Sequence, residues 1–212
     1  MIFQAQGLLF DNDGVLVNSM ASVDGSWGEW AKIYSPGFAV DYSHHGRPAR
    51  DIVRDRVPEE LFEEAYAKIN QLELDLIHLT LPMPGAIELT QSLPAGTWTV
   101  VTSASPDLAK GRLEAAGIAI PEQLVTAYDI VNGKPAADPY LKGADNLGFP
   151  ASACIVFEDA PSGVRAGVAA GATVVGVGKE VLDSDAAIVV STLKGISFSN
   201  NELNVPEAIR LR

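Results

Sequence analysis

The stretch Gly7-Leu8-Leu9-Phe10-Asp11-Asn12-Asp13-Gly14 decides how the rest of the chain is read. A short apolar run of strand length leads directly into two acids separated by one residue and closed by glycine. A continuous apolar run suits a strand buried on both faces, as in parallel sheets. In such sheets ligands bind beyond the carboxyl ends of the strands. Acids at that edge face a cleft, where they repel each other unless a cation or a reaction uses them. An Asx-rich turn is the competing reading of the same residues.

Working outward, similar apolar runs recur at 97–102, 154–157, 173–177 and 187–190, with a weaker one at 124–127. Helical patterns lie between them. Pro84, Pro106 and Pro161 stand where first helical turns begin. Gly117, Gly148 and Gly171 follow periodic stretches, where left-handed caps are expected. This alternation predicts an α/β fold: a Rossmann-like open parallel sheet with helices on both faces. Residues 18–83 interrupt it. They hold no convincing strand, and 19–34 and 59–79 both read as helices. The acidic run Glu59, Glu60, Glu63 and Glu64 reads as a solvated face that complements a helix dipole. The expected organisation is a core of residues 1–17 and 84–212 with an inserted α-helical domain of residues 18–83.

Composition narrows the function. The chain has 212 residues, 47% of them hydrophobic and 20% charged, ordinary values for a soluble globular protein. With 27 Asp and Glu against 15 Lys and Arg, its formal charge is -12. That argues against a nucleic-acid binder, which needs a basic footprint, but leaves room for a local cationic pocket. The single cysteine, Cys154, excludes an intrachain disulfide and reads as a buried strand residue. Residues 1–10 lack the features of a signal peptide, and no apolar run is long enough to span a bilayer. A cytoplasmic location is the expectation.

Three more polar clusters carry candidate chemistry. Glu158-Asp159, before Ala160-Pro161-Ser162-Gly163, is a second acidic pair at a second strand end. Oxygen ligands in such number suit Mg2+. Lys134, between Gly133 and Pro135, lies in a shaped loop and can pair with carboxylate and phosphate alike. A solvated lysine is its bland alternative. Thr102-Ser103-Ala104-Ser105 precedes the helix at Pro106, and hydroxyls with free N–H groups at a helix start form an anion site. Ser105 is also the expected N-cap there. Gly176-Val177-Gly178 lacks the third glycine of a dinucleotide fingerprint and reads as a turn, and His78 reads as a surface or packing residue.

In order and spacing, these four pieces resemble the motifs of the haloacid dehalogenase superfamily. The resemblance covers nearly the whole chain, and residues 18–83 fall where that family carries a helical cap. It implies that Asp11 attacks phosphorus and that Asp13 serves as general acid and base. It further implies that Asp11, the carbonyl of Asp13 and Asp159 hold Mg2+ with Glu158 close by, while Ser103, Ala104 and Lys134 bind the phosphoryl group. Dehalogenases and phosphonate hydrolases of the superfamily lack the aspartate present here as Asp13. The β-phosphoglucomutase branch keeps it, but this chain has Val23 and Ala49 where those mutases carry a histidine and an arginine, which favours hydrolysis over isomerisation. The segment from His44 to Asp51, with Pro82 to Ala86, is closer to the sugar and polyol phosphatases. The implied partner is therefore a small phosphorylated metabolite, its leaving group contacted by His45 or Arg47.

Overall fold

The computed structural model describes residues 1–41, 44 and 47–212. In chain order the elements are β1 (Ile2–Gln4), β2 (Gly7–Phe10), β3 (Val17–Asn18), α1 (Met20–Tyr34), α2 (Ala49–Arg54), α3 (Phe62–Asp75), β4 (Leu81–Pro82) and α4 (Ala86–Ser92). There follow β5 (Trp98–Val100), α5 (Pro106–Ala115), α6 (Asp138–Leu147), β6 (Cys154–Glu158), α7 (Pro161–Ala169), β7 (Thr173–Val177), β8 (Ile188–Val190), β9 (Ser197–Ser199) and β10 (Glu202–Asn204).

Five strands form a parallel sheet in the order β5-β2-β6-β7-β8. Its central strands are buried throughout, the burial that their apolar runs require. Alternate residues feed two cores. Leu8, Phe10, Val100, Ile155 and Phe157 pack on one face, and Leu9, Val101, Val156 and Val174 on the other. Phe10 and Phe157 stack with centroids 4.7 Å apart, tying the two strands together just before their acidic ends. From β2 the chain passes to one side for β5, then to the other for β6. This reversal opens a crevice at the carboxyl ends of β2 and β6.

Several expectations need adjustment. The run at 124–127 contributes a single bridge, Val125 to Val101, and no strand. The long helix at 59–79 is three pieces, with 3-10 turns at Glu59–Leu61 and Ile77–Leu79 flanking α3. The acidic run on it is exposed, as read. Gly117, Gly148 and Gly171 do adopt positive φ. Ser105 sits at the N-cap of α5 but makes no capping bond with its side chain. Instead the Thr102 hydroxyl accepts from Ala104 N at 3.1 Å.

The sequence reading missed two features. A three-stranded antiparallel sheet, β1-β10-β9, joins the chain's two ends. Its hairpin turns at Asn200 and Asn201, both at positive φ, which is the backbone a tight two-residue turn needs and asparagine tolerates. The other is a short ribbon, β3 against β4, where the chain leaves and rejoins the sheet. Between these strands α1, α2 and α3 form a helical layer with its own core of Trp27, Trp30, Ile52, Phe62 and Ile69. Trp30 Nε1 donates to the Ala65 carbonyl at 2.8 Å, so this large ring is buried with its polar atom satisfied.

Helix α6 lies directly on the sheet because Gly143 leaves no side chain between them. A Cβ there would stand 2.6 Å from Val101 Cγ2 and 3.3 Å from Leu9 Cδ2. Overpacking of this kind costs about 1–3 kcal/mol, against ~1 kcal/mol of helix propensity gained from alanine. Gly143→Ala is therefore expected to lower the urea unfolding midpoint, with the slope of the transition unchanged.

Candidate active site

The acids predicted from sequence meet at the crevice. Asp11 follows β2 and is buried. Its backbone N–H donates to the Phe157 carbonyl at 2.9 Å, holding it beside β6. The chain then turns tightly, with Leu16 N and Val17 N both donating to the Asn12 carbonyl at 2.9 Å. Gly14 is needed in this turn. Its φ is +81°, and a Cβ there would overlap the Asp159 carboxylate.

Lys134 lies at the centre. It is almost completely buried, and its ammonium donates to Asp11 Oδ1 and, at 3.2 Å, to the Val101 carbonyl. It also pairs with Glu158 Oε1 at 2.7 Å, and it stands 5.2 Å from the ring centroid of Tyr140. Glu158 is fully buried and held on both oxygens, Oε1 accepting also from the Tyr140 hydroxyl at 2.8 Å and Oε2 from Ala160 N at 3.1 Å. Helix α7 starts close to this carboxylate, and a Cβ on Gly163 would collide with it.

Charge in this cluster is unbalanced. Asp11, Glu158 and Asp159 present carboxylate oxygens within 4.8 Å of one another. Burial pushes the Asp11 carboxyl up to about 7, with Lys134 opposing the shift and Glu158 and Asp13 adding to it. Burial, then Glu158 and Asp11, also hold Asp159 well above the usual carboxylate range. Burial alone would lower the Lys134 ammonium, but its two carboxylate partners raise it, so it stays charged. An all-oxygen donor set carrying excess negative charge fits Mg2+ by chemistry.

These groups open into a cavity of about 580 Å³ lined by Asp11, Asp13, Asp159, Ser103 and Ala104 from the sheet side. The helical layer supplies the opposite wall, including Trp27, Tyr66, Asn70 and Arg47. Val23 and Ala49 also line it. Tyr128 lines it too, with Tyr66 of α3. Arg47 reaches the cavity but pairs with Asp55 Oδ2 at 2.7 Å. His45 lies outside the described residues. His44 ring nitrogen Nδ1 stands 2.9 Å from Asp41 Oδ1, and His78 is exposed in a 3-10 turn.

Two charged residues of this site escaped the sequence reading. Arg112 of α5 stands 3.0 Å from Asp13 Oδ1 and donates to Glu73 Oε1 of α3 at 3.2 Å. Both occupy apolar helical stripes, Arg112 four residues after Leu108 and Glu73 four after Ile69. Opposite charges on two core-facing stripes were the available signal.

The chain matches the family model described as haloacid dehalogenase-like hydrolase over residues 5–171. It is 36% identical over 182 residues to hexitol phosphatase A of Escherichia coli (strain K12), across 82% of this chain and 83% of that one. Glycerol-1-phosphate phosphohydrolase 1 of Saccharomyces cerevisiae is 35% identical over 185 residues, covering 80% and 73%. A crystal structure of a hydrolase from Pseudomonas syringae superposes with a TM-score of 0.75 at 26% identity, covering 89% and 94%.

Removing the central cation should expose what it offsets. Breaking a buried pair costs about 3–5 kcal/mol, so Lys134→Met in divalent-free buffer is expected to lose stability on that scale at pH 8. The penalty should shrink at pH 6. Without the ammonium, Asp11 takes up a proton at still higher pH than the wild-type value of about 7. The folded variant then binds more protons than its unfolded chain, so its stability falls as pH rises. Urea titrations at the two pH values measure this directly.

Proposed function

The chain belongs to the haloacid dehalogenase-like hydrolase family and is a phosphoric monoester hydrolase, and we propose that it uses Mg2+ and an aspartyl-phosphate intermediate to hydrolyse a sugar or polyol phosphate. The observation that carries this reading is the convergence of Asp11, Asp13, Asp159 and Lys134 on one cavity from separate segments of the chain. The phosphorylated polyols and the deoxysugar phosphate named for its relatives support the substrate class. So does a cavity of about 580 Å³, within the range of small-molecule sites, with aromatic and polar groups on its far wall.

In this reading residues 1–17 and 84–212 are the catalytic core, and residues 18–83 are the cap that closes over it. Asp11, the main-chain carbonyl of Asp13 and Asp159 would hold Mg2+, and Glu158 would complete the anionic cluster while keeping Lys134 in place. Bound there, the ion supplies positive charge that keeps Asp11 ionised and offsets the phosphoryl oxygens. Asp11 attacks phosphorus as the bond to the leaving oxygen breaks. Asp13 gives that oxygen a proton, then removes one from the water that hydrolyses the aspartyl-phosphate. The Ser103 hydroxyl, Lys134 and the Ala104 N–H, which requires release from the Thr102 hydroxyl, bind the transferring oxygens, the positioning and charge stabilisation that phosphoryl transfer mainly requires.

Arg47 and His45 are read as leaving-group contacts; for Arg47 this requires release from Asp55. Val23 and Ala49 offer no charge to a second phosphate, which supports hydrolysis over transfer within a hexose. A cytoplasmic location is part of the reading, and the buried, unpaired Cys154 suits it. No helix among the described residues is long and apolar enough to cross a membrane.

Chelation should abolish release of phosphate from hexitol and glycerol phosphates, and added Mg2+ should restore it. Retention of full activity after exhaustive chelation would count against the metal assignment. The two aspartates should separate by intact mass after mixing with p-nitrophenyl phosphate. Asp11→Asn should carry no adduct. Asp13→Asn should accumulate a phosphate adduct and turn over about 10²–10⁴-fold more slowly than the parent, the usual worth of general acid–base catalysis. An adduct on the Asp11 variant would reverse the assignment.

A further inference from the structure

Arg112 is 4% exposed and Glu73 5%, yet both reach the cavity wall. Burying charge is expensive, and an apolar pair would fill such a gap at lower cost. The guanidinium instead spans two parts of the molecule. Nη2 donates to Glu73 Oε1 of α3 at 3.2 Å, while Nη1 stands 3.0 Å from Asp13 Oδ1. Glu73 shares the cavity wall with Trp27 of α1. A continuous polar path thus runs from the helical layer, through Glu73 and Arg112, to Asp13. The two ends of the guanidinium differ. Its bond to Glu73 is an aligned hydrogen bond, whereas its approach to Asp13 is an ion pair by distance alone. The arginine is therefore anchored from the helical side and restrains Asp13 without locking it.

The neighbouring backbone is shaped for this docking. A Cβ on Gly111 would overlap Ile77 Cδ1, and one on Gly25 would stand 2.9 Å from Leu76 Cδ1. The segment after α3 thus fits closely against both α5 and α1, which fixes the distance between Glu73 and Arg112.

We propose that Arg112 is a positioning residue for Asp13, and that Glu73 makes this positioning depend on the helical layer being seated against the core. Proton transfer to the leaving oxygen is then efficient only when the cavity is closed. Asp13 remains the group that moves the proton. Arg112 sets where its carboxylate rests, and Glu73 sets where Arg112 rests.

This inference rests on the phosphatase reading, and one experiment separates the two. Wild type, Glu73→Gln, Arg112→Lys and Arg112→Met are assayed on a hexitol phosphate, whose leaving alcohol needs a proton. The burst of p-nitrophenolate from p-nitrophenyl phosphate, whose leaving group needs little protonation, is measured beside it. Thermal melting confirms that each variant is folded. Misplacing a reacting group by about 1 Å costs up to about 10²-fold, so Glu73→Gln and Arg112→Met should lose about 10- to 100-fold in kcat on the hexitol phosphate, with KM little changed. The burst rate should stay within about threefold of wild type, since that step scarcely uses general acid. Arg112→Lys should recover part of the loss. In an Asp13→Asn background, Glu73→Gln should have almost no further effect, as expected of residues acting through one group. Equal losses on both substrates, additive losses with Asp13→Asn, or no loss at all would overturn the proposal and leave the phosphatase reading standing. A wild type that hydrolyses neither substrate would sink both.

Discussion

Everything at the crevice depends on one buried ammonium. Asp11 and Glu158 end adjacent parallel strands, and Phe10 and Phe157, which precede them, are stacked. Packing alone thus forces two carboxylates together in a low-dielectric setting, where their repulsion and desolvation together cost several kcal/mol. Lys134 answers both at once, and the Val101 carbonyl accepts another of its hydrogen bonds. Tyr140 and the Ala160 N–H satisfy what remains of Glu158. The sheet can therefore bring its acids to one point without splaying the strands that carry them.

That arrangement divides the acids by what they have left to offer. Glu158 is committed to protein donors and is closed to solvent. Asp11 is held on one oxygen by Lys134, and Asp159 keeps access to the cavity. Asp13 stands apart, on a turn that Gly14 alone can make, with its carboxylate beside an arginine from another element. Two aspartates only two residues apart thus live in different electrostatic surroundings.

The helical layer is less an appendage than its place in the chain suggests. It has its own aromatic core, but it also supplies one wall of the cavity and Glu73, the start of the polar path through Arg112 to Asp13. The ribbon of Val17–Asn18 with Leu81–Pro82 pairs the two points where the chain enters and leaves the layer. The layer also fits closely against α5, where a Cβ on Gly111 would overlap Ile77 Cδ1.

The sequence by itself determined the sheet strands, the helix starts at Pro106 and Pro161, the glycine caps and the acidic strand ends. Each is fixed within a few residues, by apolar runs, by the ring of proline or by the freedom of glycine at positive φ. The meander at the two ends of the chain was partly legible, since Asn200-Asn201 carries a turn signal, but pairing of β1 with β10 joins residues about two hundred positions apart, which no local pattern specifies. Lys134, taken alone, reads as a solvated loop lysine, and only its meeting with Asp11 and Glu158 makes it the centre of the site. Arg112 and Glu73 lie on apolar stripes that locally argue against any charge, and their partners come from other elements. Tertiary structure alone decided these pairings, because a buried charge is stable only where the fold delivers its counter-charge, and that delivery depends on how distant elements pack rather than on what any one of them prefers.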